Sequence, residues 1–132
     1  MNNNKNLKDK QLILIPKIND YVEYMLSVLI KLPRTEKFSI GNEYKNSMYQ
    51  MISYVLYVNK INRKENNLQA LELLNKVDAE LNCQRIYLRI MNKQKWIDNK
   101  KFDVSMSKIY EIGNIIGGLV KYYAKNNKEW IW

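Results

Sequence analysis

Apolar residues recur along this chain at intervals of three and four in four separate stretches, the pattern of amphipathic helices. The first stretch carries Ile15, Ile18, Tyr21, Val22, Met25, Val28, Leu29 and Leu32. It predicts a helix that has Pro16 in its first turn and stops at Pro33. Ser39 follows the connector Arg34–Phe38 as a candidate N-cap, and Asn42 three residues later imitates a capping box. Tyr44, Met48, Met51, Val55 and Val58 then trace a second helix with the seam of a bundle, which Ile52 and Leu56 widen. Leu68, Leu71, Leu74, Val77, Leu81, Leu88 and Met91 mark a third, with Arg85 interrupting the row. Phe102, Met106, Ile109, Ile112, Ile116, Leu119 and Tyr123 mark a fourth. The polar segments Asn59–Asn67 and Asn92–Lys101 read as loops, the second built around Trp96.

Four such helices on short connections predict an all-α, antiparallel up-down four-helix bundle. It forms one domain over residues 11–126, between a flexible N-terminal segment, 1–10, and a Trp-rich C-terminal tail, 127–132. Four glycines and two prolines supply too little turn punctuation for an all-β chain. Trp130 and Trp132 have no obvious core to enter, and are either packed back on the bundle or offered to a partner. The apolar run Leu12–Ile15 is too short for a signal peptide core or a membrane span, which predicts a cytoplasmic protein.

Lysine and arginine outnumber aspartate and glutamate by 22 to 13, giving a formal charge of +9. An excess of that size draws polyanions, so nucleic acid leads the partner classes. The cations form no tail, so a binding surface has to be assembled by folding or by oligomerisation. Arg85, Arg89 and Lys93 fall four apart along the third helix, and Lys121, Lys125 and Lys128 make a similar ridge on the fourth. Either ridge can follow a phosphate backbone, or can be a solvated face with intrahelical pairs such as Glu72 with Lys76. Tyr110, Tyr122 and Tyr123 are candidates for base stacking, although tyrosine at helical spacing more often packs in a core or interface.

Catalytic chemistry has little to work with. Histidine is absent, and Cys83 stands alone without an activating partner. Asp78 and Glu80 point too far apart around a helix to act as an acid and base pair. The sequence therefore predicts no enzyme, no cofactor and no metal. Within the fourth helix, Gly113, Gly117 and Gly118 each cost about 1 kcal/mol relative to alanine. Such a run predicts helix or subunit packing through a face cleared of side chains.

Three segments carry a family likeness. Leu32-Pro33-Arg34-Thr35-Glu36-Lys37-Phe38-Ser39-Ile40-Gly41 resembles the first-loop signature of the accessory variability determinant (Avd) proteins of diversity-generating retroelements. Leu81–Arg89 resembles that family's Leu-Asp-x-x-Arg-x-x-x-Arg segment, with Asn82 in place of the acid. Glu111-Ile112-Gly113 with Gly117-Gly118 resembles its Glu-Ile-Gly-x-x-x-Gly-Gly motif, followed here by Leu119 where the family usually has Trp. The resemblance implies a ring or barrel-like homopentamer of four-helix bundles, without polymerase activity of its own. It would bind the element's reverse transcriptase and nucleic acid, supporting mutagenic copying of template RNA into cDNA. Arg34, Arg85 and Arg89 are carried from the motifs as nucleic-acid contacts, and Lys37, Lys93, Lys121 and Lys125 join them by charge and position. Arg85 has a second reading, as a buried ion-pair partner at a bundle or subunit interface.

A sister family, the four-helix proteins encoded in intervening sequences of bacterial ribosomal RNA genes, is also similar. Its second-helix stretch Ile-Pro-x-Asn-Ile-Ala-Glu-Gly is replaced here by Met51–Val58. The rival from another class is a structural bundle that binds a protein partner only, its charge serving solubility.

Overall fold

The computed structural model describes residues 2–61 and 67–125, with side chains from Leu12 onward. Among these residues are α1 (Asn2–Leu29), the single turn α2 (Arg34–Lys37), α3 (Ile40–Lys60), α4 (Asn67–Lys93) and α5 (Asn99–Lys125), and no strand. The tail 127–132, Lys128 and most of the 59–67 turn lie outside the described residues.

Pairs between helices fix the directions of the four long elements. Lys17 and Asp20 of α1 meet Glu111 and Lys108 of α5 at 2.9 and 2.5 Å, so these two helices run in opposite senses. On α3, Ser47 bonds to Glu80 of α4, and Tyr54 lies beneath the Lys76 ammonium, again antiparallel. The 94–98 connection reverses α4 into α5. Helix α3 therefore packs on α4, α4 on α5 and α5 on α1, while the seam between α1 and α3 is much the thinnest. This is an up-down four-helix bundle.

The predicted apolar stripes supply the core. Tyr21, Met25, Tyr44, Met48, Met51, Leu71, Leu74, Val77, Leu81, Leu88, Ile109 and Tyr123 are fully buried. Leu56 and Leu68 are not: they are 51% and 39% exposed, so the stripes of α3 and α4 are narrower than the sequence suggests. Leu56 follows Ile52 on the flank of α3 turned toward the thin seam, where too little of α1 is present to cover it.

Two local readings need correcting. Helix α1 begins upstream of Pro16, which lies inside it rather than in its first turn. A proline there forfeits one backbone bond and strains the preceding turn, a cost of about 3 kcal/mol. Its ring is exposed, while Leu14 and Ile18 on either side are buried. Ser39 does hold the N-cap position of α3, but its hydroxyl makes no cap bond and turns back to Glu36, while Asn42 donates to the Phe38 carbonyl. No capping box forms because the preceding connector is itself helical.

The buried centre contains a chain of hydrogen bonds. Tyr21 Oη donates to Gln84 Oε1 at 2.5 Å and lies 2.5 Å from Tyr44 Oη. A hydroxyl has one proton, so Tyr44 must donate to Tyr21. Gln84 Nε2 donates to Ser47 Oγ at 3.0 Å, and Ser47 donates to Glu80 Oε1 at 2.9 Å. Polar atoms from α1, α3 and α4 are thus satisfied in series, from the middle of the core to a carboxylate at its edge. Burial pushes the Tyr21 hydroxyl well above its ordinary pKa and raises that of Tyr44 as well.

Two predictions follow from this chain. Gln84→Leu leaves the Tyr21 proton without an acceptor and should lower stability by about 1–3 kcal/mol, whereas Tyr44→Phe, which removes a donor only, should cost about 0.5–1.5 kcal/mol. Urea midpoints at neutral pH compare the two. Because both tyrosine pKa values are raised in the folded state, stability is intact below the unfolded tyrosine pKa near 10 and falls as pH rises beyond it. Each tyrosine whose proton is released only on unfolding should contribute a loss of about 1.4 kcal/mol per pH unit. Phenolate absorbance rising together with loss of helix in alkaline titration checks this.

Candidate nucleic-acid interface

Antiparallel packing brings the 30–39 and 94–98 connections to the same end of the bundle. Lys31, Arg34 and Lys37 come from the first, and Lys93, Lys95, Lys100 and Lys101 from the second and its flanks. Their acidic neighbours in these segments are Glu36, Asp98 and Asp103. Arg34, Lys93, Lys95 and Lys100 are exposed, and Lys37 and Lys101 half-buried.

Local geometry holds both connections firmly. In the first, Pro33 starts α2, with its carbonyl accepting from the Glu36 and Lys37 amides. The turn rests on α3 at Gly41, where a Cβ would lie 3.2 Å from the Glu36 carbonyl oxygen and 3.4 Å from Leu32 Cδ1. In the second, α4 ends on Lys95 at φ 64°, a left-handed conformation that usually favours glycine. The Trp96 amide reaches back to the Met91 carbonyl at 2.9 Å, which completes a Schellman stop. Ile97 is thereby buried and Trp96 packed against the core. Asp98 then caps α5, its Oδ1 accepting from the Lys101 amide at 2.8 Å. The polar segment 92–101 reads as one loop in the sequence; the Asp98 side chain and the left-handed Lys95 shorten it.

The seven cations singled out from the sequence do not form one surface. Arg34, Lys37 and Lys93 share the loop end, with exposed Arg89 about one turn below Lys93 on α4. Lys121 and Lys125 are exposed near the opposite end of the bundle. Arg85 lies between them, half-buried, and its Nη1 donates to Asn82 Oδ1 at 2.5 Å. Among the described residues it has no carboxylate partner, so within one chain it is not the buried ion pair considered above. The expected Glu72–Lys76 pair is also absent among them: Lys76 lies over the Tyr54 ring, 5.6 Å from its centroid.

Of the tyrosines, Tyr110 is 66% exposed, Tyr122 is half-buried, and Tyr123 is part of the core. Cys83 is exposed. Asp78 and Glu80 face different grooves, Asp78 toward α5 and Glu80 toward Ser47 of α3. Among the described residues, no group of acids and cysteines could hold a metal ion, and no helix is long and apolar enough to cross a membrane.

The glycine segment behaves differently at Gly113 and Gly117. A Cβ at Gly113 would sit 3.0 Å from Arg85 Nη2, so this glycine makes room for the guanidinium of α4 rather than for another backbone. At Gly117 no atom of the described residues lies within 4 Å of where a Cβ would stand, and this side of the helix faces a groove. Gly118 is half-buried.

Arg85 against Gly113 joins two of the three motif segments directly, and Gly41 seats the other. Residues 12–123 match the family model described as bAvd-like. The chain belongs to the bAvd-like family. Membership makes it an accessory protein of the retroelement kind. No curated protein matches it.

Gly41, Gly113 and Gly117 of this bAvd-like chain should separate on mutation to alanine. Gly117→Ala meets no atom of the described bundle and, within that bundle, should gain the helix preference of alanine, about 1 kcal/mol. Gly113→Ala makes the same gain but must displace Arg85 from Asn82, a loss of about 0.5–1.5 kcal/mol, and should come out near neutral. Gly41→Ala drives a methyl group against backbone that cannot swing away, and should destabilise on the order of 1 kcal/mol. Thermal or urea unfolding of the three variants gives the order.

Proposed function

We propose that this protein is a noncatalytic adaptor of a diversity-generating retroelement, which binds nucleic acid at the loop end of its bundle and holds the reverse transcriptase on its template. The observation that carries the reading is the cluster of Lys31, Arg34, Lys37, Lys93, Lys95, Lys100 and Lys101, drawn to one end from two distant parts of the sequence. Phosphates reward such a cluster through counterion release, with no need for a cleft. Membership of the bAvd-like family supports the retroelement context and the accessory role.

Self-assembly into a ring, with five copies as the expected number, multiplies that field. Each copy adds +9, and linked weak sites act at high effective concentration. A surface suited to assembly lies along α1, the α2–α3 connection and α3, where Leu26, Ile30, Phe38, Tyr49 and Leu56 remain exposed, Phe38 by 71%. The same surface would serve a protein partner if the chain acts as a structural bundle alone, so the salt test below also separates these readings. The site of action is the cytoplasm, where template RNA is copied.

Affinity for single-stranded RNA should fall steeply with salt, by about 0.7 log unit per log unit of salt for each phosphate neutralised. Arg34→Glu with Lys93→Glu should flatten that slope more than Lys121→Glu with Lys125→Glu. A flat slope for the unmodified protein would overturn the nucleic-acid reading in favour of the protein-partner one. Light-scattering mass on the same samples tests the ring, which a monomer would rule out.

A further inference from the structure

The open side of Gly117 belongs to a groove of 690 Å³ between α4 and α5. Its floor is apolar, formed by Ile116, Gly117, Val120 and Ala124, and its edges carry Asp78 on α4 and Lys121 on α5. The volume lies within the range of about 300–1,000 Å³ that takes a ligand of drug size, and a pair of indole rings is of that size. A groove this apolar, left open to water on a highly charged chain, calls for an occupant.

The sequence supplies one at the groove's own lip. The described part of α5 runs to Lys125, one of the groove residues, and the sequence continues Asn126-Asn127-Lys128-Glu129-Trp130-Ile131-Trp132. We propose that the groove is the seat of this same chain's segment 126–132, with Trp130 and Trp132 as its anchors. Asn-Asn tolerates the left-handed conformations that reverse a chain, so 126–127 can form the turn. From Ala124 back to Gly117 is about 10 Å of helix at 1.5 Å per residue. The stretch from Lys128 to Trp132 spans about 16 Å when extended, enough to cover that floor.

Alternation in an extended segment turns residues 130 and 132 toward the same side, which lets both rings enter the groove together. The edge charges suit the rest of the segment: Lys121 and Lys125 for Glu129, and Asp78 for Lys128. Gly117 then has a purpose that contact within the described bundle does not give it. Its missing side chain deepens the floor where the second ring would sit.

The test uses the full chain with Cys83→Ser, Gly117→Cys and Trp132→Cys, which retains the Trp130 anchor. Oxidation should give a reducible, faster-migrating band at the mass of one chain. A band at the mass of two chains would show the segment seated on a neighbouring copy and overturn the proposal, as would the absence of any disulfide. Tryptophan emission supplies a second measurement in a Trp96→Phe background, where only Trp130 and Trp132 report. Emission should be blue-shifted and several-fold less quenched by acrylamide than free tryptophan. Gly117→Leu, at a position where a Cβ meets no atom of the described bundle, should abolish that protection. Fully quenched, red-shifted emission that is the same with and without Gly117→Leu would overturn the proposal.

Discussion

Three helices meet at one buried oxygen. The Tyr21 hydroxyl of α1 accepts a proton from Tyr44 of α3 and gives its own to Gln84 of α4. An apolar core of leucine and methionine tolerates small rotations of its helices, because dispersion contacts are numerous and weakly directional. A buried hydrogen bond does not: a helix turned by part of a residue would leave a donor or acceptor unpaired in a medium of low dielectric. The chain from Tyr44 to Glu80 therefore sets the rotational phase of α1, α3 and α4 about their axes. With α4 fixed, the side of it that faces α5 is fixed too, and Arg85 is brought against Gly113.

That dependence runs outward to the candidate interface. Gathering Arg34 with Lys93 depends on all four long helices keeping alternate directions. The two connections are then held by short-range devices, the seat at Gly41 and the left-handed stop at Lys95. Neither connection carries enough apolar surface to order itself; each is held where the bundle ends. The cations are presented on a rigid base, with the flexibility left in their own side chains.

The periodicity of three and four was enough to read the helices, their order and most of the buried residues from the sequence. It misplaced the polar residue of the third helix. The row Leu81, Leu88 and Met91 draws the eye to Arg85 as the interruption, yet the core position is Gln84, and Arg85 sits one residue around the helix on the α5 side. Nothing in a single sequence distinguishes a glutamine that finds two buried partners from one that faces water, since those partners lie 37 and 63 residues away. The glycines were legible as a feature but not as a mechanism, because the space above a glycine depends on the neighbouring helix. In the sequence the ridges are local rows of charge. Lys93 and Arg34 come together only through topology, and Lys121 and Lys125 are separated from them for the same reason.

The alternating directions of the helices have an electrostatic result of their own. At the loop end, the amino ends of α3 and α5 stand beside the carboxyl ends of α1 and α4. Each long helix carries about half an elementary charge at its ends, positive at the amino end and negative at the carboxyl end, so these contributions cancel in pairs. The backbone is electrically silent there, and the potential seen by an approaching molecule is written by side chains alone. A few substitutions at lysine and arginine positions could thus reset the sign of that end while leaving the helices beneath it unchanged.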